Sequence, residues 1–221
     1  MGAGAQTGAV RLVSGRGRWV DPFAGMAGRR LFVAVPLDRA AVAEVTALVQ
    51  EVRALALPAG LRDVRWVRMD GLHLTLRFLG PAPEPRVAPT AAAVTAVAAE
   101  TVRIDGRLAG VGTFPERGRP RAIWIGVGHG ADELATLSDR LTAGLRAAGW
   151  VLDDRPFRPH LTLARSDGLA AGAVVADRLA AVLGARTLPF QVDRVTLFES
   201  ITGDGPARYV PVAEVGLRPP D

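Results

Sequence analysis

The chain has 221 residues, of which 49% are hydrophobic, and a formal net charge of +5. This size and composition predict one large globular domain or two lobes that share a core, and the positive charge favours an anionic partner. All 27 basic residues are arginine and there is no cysteine, which excludes a Schiff base, a lysyl-adenylate, a thiol nucleophile, a disulfide and a thiolate metal site.

Residues 1–28 mix glycine, alanine and arginine and contain neither a signal-peptide core nor a membrane span. We predict a flexible N-terminal extension over residues 1–28 and a single bilobal domain over residues 29–221. We expect the protein to be cytoplasmic.

The remainder of the chain alternates predicted strands and helices. Asp38 is a candidate cap for the first helix. The strand–helix–strand–helix order occurs twice, which favours an internal duplication, two related lobes and the α+β class with a largely antiparallel sheet. Strands are predicted at residues 31–36, 64–67, 72–79, 101–108, 122–127, 160–163, 190–199 and 208–215, and helices at 39–55, 86–99, 132–148 and 170–183.

The tetrapeptide His-Leu-Thr-Leu occurs twice, at residues 73–76 and 160–163. Because alternate residues of a strand point to one face, each copy presents an imidazole and a hydroxyl on one side and two leucines on the other. If the two strands meet, His73 and His160 can serve as acid and base near neutral pH. The hydroxyls of Thr75 and Thr162 can donate hydrogen bonds to an oxyanion between them.

Each of these residues also has a purely structural interpretation. A lone strand histidine is usually a hydrogen-bonded core residue, and threonine favours strands by itself. The exact repetition of both residue types favours a catalytic pair. A metal site is the weaker alternative, because two imidazoles seldom suffice for zinc and no third ligand recurs at fixed spacing. We therefore expect neither a metal nor a cofactor.

Two residues near the second motif are further candidates. Arg165 can hold a phosphate, but it lies five residues after His160 and needs a strand end or a bend to reach the same face. Phe157 can stack a base at the edge of a cleft. A solvated charge and a core aromatic are equally compatible interpretations. Arginines with a weaker case for phosphate or nucleic-acid contact are Arg77, Arg117, Arg119 and Arg121.

The chain resembles the two-histidine phosphoesterase superfamily, whose signature is a pair of His-hydrophobic-Thr/Ser-hydrophobic motifs. Within it, the chain is similar to the RNA 2′,3′-cyclic phosphodiesterases, also called the 2′-5′ RNA ligase family. Paired motifs with these flanking segments are a specific signal. The likeness rests on residues 30–37 (RLFVAVPL), 66–80 (WVRMDGLHLTLRFLG), 112–127 (GTFPERGRPRAIWIGV), 155–165 (RPFRPHLTLAR) and 195–199 (VTLFE).

The resemblance implies two lobes related by a pseudo-twofold axis around a central cleft, with outer helices. It places the catalytic histidines at His73 and His160. By the same resemblance, phosphate binding falls to Thr75, Thr162 and Arg165, and the aromatic before the second motif is Phe157.

The implied activity is hydrolysis of a terminal 2′,3′-cyclic phosphate on RNA or an oligonucleotide to a 2′-phosphate, with reverse, ATP-independent 2′-5′ ligation also open. We assign His160 as proton acceptor and His73 as proton donor. We expect a monomer that acts without a membrane partner. Two alternatives stay open, namely a non-catalytic nucleotide- or RNA-binding module and a phosphodiesterase for a small cyclic nucleotide metabolite.

Overall fold

The computed structural model describes residues 28–59, 63–166, 171–202 and 207–220. Apart from Gly28, the extension predicted over residues 1–28 lies outside the described residues. The elements are β1 (Arg29–Pro36), α1 (Arg39–Ala54), β2 (Arg65–Trp66), β3 (His73–Ala82), α2 (Glu84–Ala99), β4 (Ile104–Phe114), β5 (Ala122–His129), α3 (Ala131–Ala147), β6 (His160–Arg165), α4 (Ala171–Leu183), β7 (Leu188–Val192), β8 (Arg194–Ile201) and β9 (Arg208–Gly216).

The described strands form one sheet in the order β7-β4-β5-β6-β3-β1-β8-β9, with β2 paired to β6 outside this path. All pairings between these strands are antiparallel. The α+β class and the largely antiparallel sheet are thereby confirmed. The two motif strands, β3 and β6, are neighbours at the centre of the sheet, so the two lobes are halves of one continuous sheet.

The two repeats are interleaved rather than separate. After α2, strand β4 crosses to pair with β5, in the half that holds the second motif. After α4 and the short β7, strand β8 crosses to pair with β1, in the half that holds the first motif. Each repeat therefore contributes a strand to the other half, and buried residues from both halves belong to one hydrophobic cluster.

The helices bury an apolar stripe against the leucine face of the sheet. In α1, Ala41, Val45 and Leu48 are buried at helical spacing, and the Asp38 carboxylate caps the helix by accepting from the Ala41 N–H at 2.9 Å. In α3, Ser138 is buried and its hydroxyl donates to the Leu76 carbonyl. The described helices thus pack on the face opposite the two histidines. Within the described residues, no helix is long and apolar enough to cross a membrane.

The prediction of a single strand over residues 190–199 was wrong. The chain forms β7 and β8, which pair with β4 and β1 in opposite halves of the sheet. The break falls at Asp193, whose carbonyl accepts from the Leu217 N–H at 2.7 Å. Two consecutive polar residues, Asp193 and Arg194, interrupt the apolar alternation at this point. They mark the end of one strand, but the local sequence does not show that the next strand pairs in the other half of the sheet.

Candidate active site

The two motifs meet across the central strand pair. Leu74 of β3 is paired with Leu161 of β6, and both side chains are fully buried. Because the two strands are antiparallel, the residues on either side of this leucine pair are also opposite each other, His73 to Thr162 and Thr75 to His160. All four side chains point to the face opposite the leucines. The two histidines are then diagonal neighbours, a relation that puts Cα atoms about 7–8 Å apart.

Both imidazoles are held in the same way by a backbone carbonyl two residues earlier in the chain. The Nδ1 of His73 lies 2.7 Å from the Gly71 oxygen, and the Nδ1 of His160 lies 2.7 Å from the Arg158 oxygen. Because a carbonyl can only accept, Nδ1 carries the proton in each ring. Each neutral ring therefore keeps Nε2 as its basic nitrogen.

Aromatic side chains fix the planes of the two rings. Tyr209 meets His73 edge-on, with ring centres 4.9 Å apart at 82°, and Phe114 meets His160 edge-on at 5.0 Å and 82°. Phe32 also lies 5.2 Å from His73. The matching arrangements arise on non-equivalent strands, β9 and β4. In both cases the aromatic contact restricts rotation of the imidazole about its own axis.

Trp124 completes the wall beside His160, at 5.7 Å between ring centres. Its indole lies flat on Gly112, where a Cβ would come within 2.2 Å of the ring. A cross-strand glycine is therefore needed for this ring position. Trp124 also lines a depression of about 360 Å³ together with Glu116, Arg158 and Asp177.

The electrostatic environment of the dyad is positive. Burial is the largest cause that lowers the pKa of His73, and Arg165 and His160 lower it further. Burial likewise lowers the pKa of His160, as do Arg158 and Arg165. The carbonyl hydrogen bonds oppose the shift in both cases. Because the charges that act on the rings are positive, an anion between them would be stabilised.

The threonine hydroxyls are available to a ligand. Thr75 and Thr162 are partly exposed, and no intramolecular hydrogen bond of either hydroxyl is found in the described part of the chain. Thr75 is opposite Ala34 of β1 and Thr162 is opposite Trp124 of β5, so each hydroxyl stands on the histidine face. The structure thus brings together the four residues that the repeated motif predicts.

A β-bulge brings Arg165 to the same face. Ile123 pairs with Ala164 but Trp124 pairs with Thr162, so Leu163 is the extra residue on β6. Leu163 and Ala164 are both buried and Arg165 is exposed. The bulge shifts the alternation by one residue and supplies the bend that Arg165 needs. Its influence on the pKa of both histidines is consistent with this direction.

A matching bulge in β3 exchanges the roles of Arg77 and Phe78. Val33 pairs with Arg77 but Ala34 pairs with Thr75, so Leu76 is the extra residue. The Arg77 guanidinium consequently turns to the helix face, where Nε donates to the Thr142 hydroxyl. Phe78 turns to the histidine face and is 64% exposed. Arg77 therefore does not reach the cleft, whereas Phe78 is an aromatic surface beside it.

Other candidates have less direct positions. Phe157 is partly buried against the core, so less of its ring is available to a base, and its stacking role stays a prediction. Trp66 packs on the core. Sequence reasoning overlooked Phe78, although Phe78 and Arg165 both stand five residues after a motif histidine, and comparing the two copies position by position would have found it. The loop arginines Arg117, Arg119 and Arg121 are exposed.

The fold and the site together define a class of protein with two interleaved repeats. Each repeat contributes one His-x-Thr motif to the central pair of strands. The family model of the 2′-5′ RNA ligase superfamily matches residues 35–204, which include both motifs. The chain belongs to this superfamily.

Individual relatives agree with this assignment. An Aeropyrum pernix protein named RNA 2′,3′-cyclic phosphodiesterase is 38% identical over 105 residues, which is 48% of this chain and 58% of the relative. A Geobacillus stearothermophilus protein of the same name is 43% identical over 100 residues, 45% of this chain and 32% of the relative. The chain thus spans about half or less of the length of these two relatives. The crystal structure of Escherichia coli LigT complexed with 3′-AMP superposes with a TM-score of 0.65 at 25% identity, covering 86% of this chain and 99% of that one.

Proposed function

We propose that the protein hydrolyses the terminal 2′,3′-cyclic phosphate of RNA or an oligonucleotide to a 2′-phosphate by metal-free general acid–base catalysis. The observation that carries the proposal is the pair of imidazoles on one face of adjacent strands, each with Nδ1 bonded to a carbonyl and with no hydrogen bond to Nε2 from the described residues. The names of the relatives support the substrate class, and a nucleotide complex of a structural neighbour supports nucleotide binding in this fold.

The reaction follows from the two ring positions. The neutral Nε2 of His160 takes a proton from water, and the water oxygen forms a bond to phosphorus in line with the 3′ oxygen. The bond from phosphorus to the 3′ oxygen breaks, and the protonated Nε2 of His73 gives its proton to that oxygen. A 2′-phosphate and a free 3′-hydroxyl result. Each proton transfer contributes about 10²–10⁴ in rate.

The remaining groups stabilise the developing charge. The hydroxyls of Thr75 and Thr162 lie opposite the two histidines and can donate to the non-bridging oxygens, and Arg165 supplies a fixed positive charge at the same face. With a 5′-hydroxyl in place of water, the same proton transfers form a 2′-5′ phosphodiester without ATP. Ligation is therefore the same chemistry with a different nucleophile.

Phe78 is the better-placed surface for the terminal base. Its ring is exposed, and the centres of the Phe78 and Phe32 rings are 6.1 Å apart. Phe32 in turn contacts the imidazole of His73. A base stacked on it would hold the ribose and its cyclic phosphate next to the dyad.

Product analysis tests the proposal directly. A short oligonucleotide that ends in a 2′,3′-cyclic phosphate is incubated with the parent protein and with His73→Ala and His160→Ala. We expect the parent to yield only the 2′-phosphate and each variant to lose nearly all turnover. Absence of turnover by the parent on cyclic-phosphate oligonucleotides and mononucleotides alike, with binding retained, would favour the non-catalytic module.

A further inference from the structure

A second arginine stands beside Arg165. Strand β2 pairs with the end of β6, with Arg65 opposite Arg165 and Trp66 opposite Ala164. Trp66 packs on the core and Ala164 is buried, so the two arginines share the other face of the sheet. Both are exposed. That face is the one that carries the two histidines.

The position of Arg65 is fixed by its strand. The Val67 N–H donates to the Leu163 carbonyl at 2.9 Å. Asp63, the nearest acidic residue in the chain, directs its carboxylate to the Val64 N–H at 2.7 Å and to the Trp66 indole at 3.3 Å. Its hydrogen bonds therefore anchor the strand rather than neutralise the arginine.

No ion pair involves Arg65 or Arg165 anywhere in the described ranges, whereas eleven ion pairs form elsewhere in those ranges. Like charges directly opposite each other on neighbouring strands destabilise a sheet. An anion that lies between two guanidinium groups removes this repulsion and accepts several charge-assisted hydrogen bonds.

We propose that Arg65 binds the phosphodiester on the 5′ side of the terminal nucleotide and thereby selects oligonucleotides over cyclic mononucleotides. The inference rests on the proposed function. With the bulge counted, Arg165 lies about two residues, or roughly 7 Å, along β6 from Thr162, and Arg65 lies beyond it on the next strand. Because the RNA ends at the cyclic phosphate, every further phosphate that reaches Arg65 is on the 5′ side.

Two small substrates isolate this contact. One is a nucleoside 2′,3′-cyclic phosphate with a free 5′-hydroxyl, and the other is the same compound with a methyl phosphodiester at the 5′ oxygen. The ratio of their kcat/KM values is measured for the parent, Arg65→Gln, Arg65→Lys and Arg53→Gln. Arg53 is exposed in the last turn of α1 and controls for the loss of one positive charge.

We expect the parent to prefer the 5′-phosphodiester by about tenfold or more, the range of a charge-assisted hydrogen bond. Arg65→Gln should abolish this preference while leaving turnover of the 5′-hydroxyl compound unchanged, Arg65→Lys should keep part of it, and Arg53→Gln should keep all of it. The inference alone is overturned if the parent shows no preference, if Arg65→Gln lowers both rates equally, or if Arg53→Gln has the same effect. If the parent hydrolyses neither compound and also fails on a cyclic-phosphate oligonucleotide, the proposed function falls with it.

Discussion

A neutral imidazole accepts a proton through only one nitrogen, and both histidines reserve Nε2 for this purpose. The proposed hydrolysis needs one ring neutral and the other protonated. Burial and neighbouring positive charges lower the pKa of both His73 and His160, so both rings are largely neutral in the free protein at pH 7. An arriving phosphate brings negative charge that favours protonation of one of them.

The first prediction separates the two roles. His73→Ala and His160→Ala should each lower kcat/KM by about 10²–10⁴ on a cyclic-phosphate oligonucleotide. A substrate in which sulfur replaces the 3′ oxygen needs no proton on its leaving group. It should restore much of the activity of His73→Ala and little of that of His160→Ala. Single-turnover rates that are restored in His160→Ala but not in His73→Ala would exchange the acid and base assignments. Circular dichroism checks that each variant is folded.

The second prediction concerns pH. A base must be deprotonated and an acid protonated, so kcat/KM should follow a bell whose limbs report the pKa values of the free protein. Since both are lowered, the bell should be centred on the acidic side of the ordinary imidazole pKa. Arg165→Gln removes a positive charge that opposes protonation, so it should move both limbs to higher pH. Arg178→Gln is a charge-matched control. The Arg178 guanidinium donates hydrogen bonds to the Leu55 and Ala56 carbonyls. A shift to lower pH would contradict the placement of Arg165.

At the scale of single elements, the two bulges decide which side chains reach the cleft. Alternation in the sequence correctly predicts that His73 and Thr75 share a face, because the first three residues of each motif are regular strand. Beyond these residues the side chains no longer alternate between the two faces with a period of two. A bulge depends on the partner strand, so Leu76 and Leu163 give no local signal that they are extra residues. The sequence therefore left the direction of Arg165 open and did not single out Phe78.

The third prediction tests the exposed ring. Phe78→Ala should raise KM for base-containing substrates by roughly tenfold or more, because stacking on an aromatic side chain contributes about 1–3 kcal/mol. Its kcat should change little, and so should the unfolding temperature, because a ring that is 64% exposed contributes little to the core. Phe78→Trp should retain binding. Phe157→Leu tests the other candidate for base stacking, Phe157. A larger loss of substrate binding in that variant would show that the base stacks on Phe157.

At the scale of the whole molecule, the helices and most strands follow from periodicity and capping, as with Asp38 before α1. The joining of both lobes into one sheet does not. It depends on β4 and β8 crossing between halves, and such long-range pairing has no counterpart in local sequence. The predicted strand over residues 190–199 failed for this reason, since its two pieces belong to different halves.

The fourth prediction is that catalysis needs no divalent ion. Among the described residues there is no group of three or more histidine, aspartate and glutamate side chains placed to hold a metal. Protein dialysed against EDTA should keep its full kcat/KM on a cyclic mononucleotide. The assay is repeated after addition of magnesium, manganese or zinc. Activity that is lost on chelation and returns with one of these ions would refute the proposed mechanism.

The crossing of β4 and β8 has a consequence for how such a molecule could arise. A shorter ancestor with a single repeat would have one strand that could not close its own half, and two copies would complete each other by swapping that strand, as a homodimer with identical sides. Joining the two copies into one chain preserves the architecture, but the two repeats no longer need to have the same sequence. An aromatic ring at Phe78 and a guanidinium at Arg165, in corresponding places, form a division of labour that identical subunits cannot have.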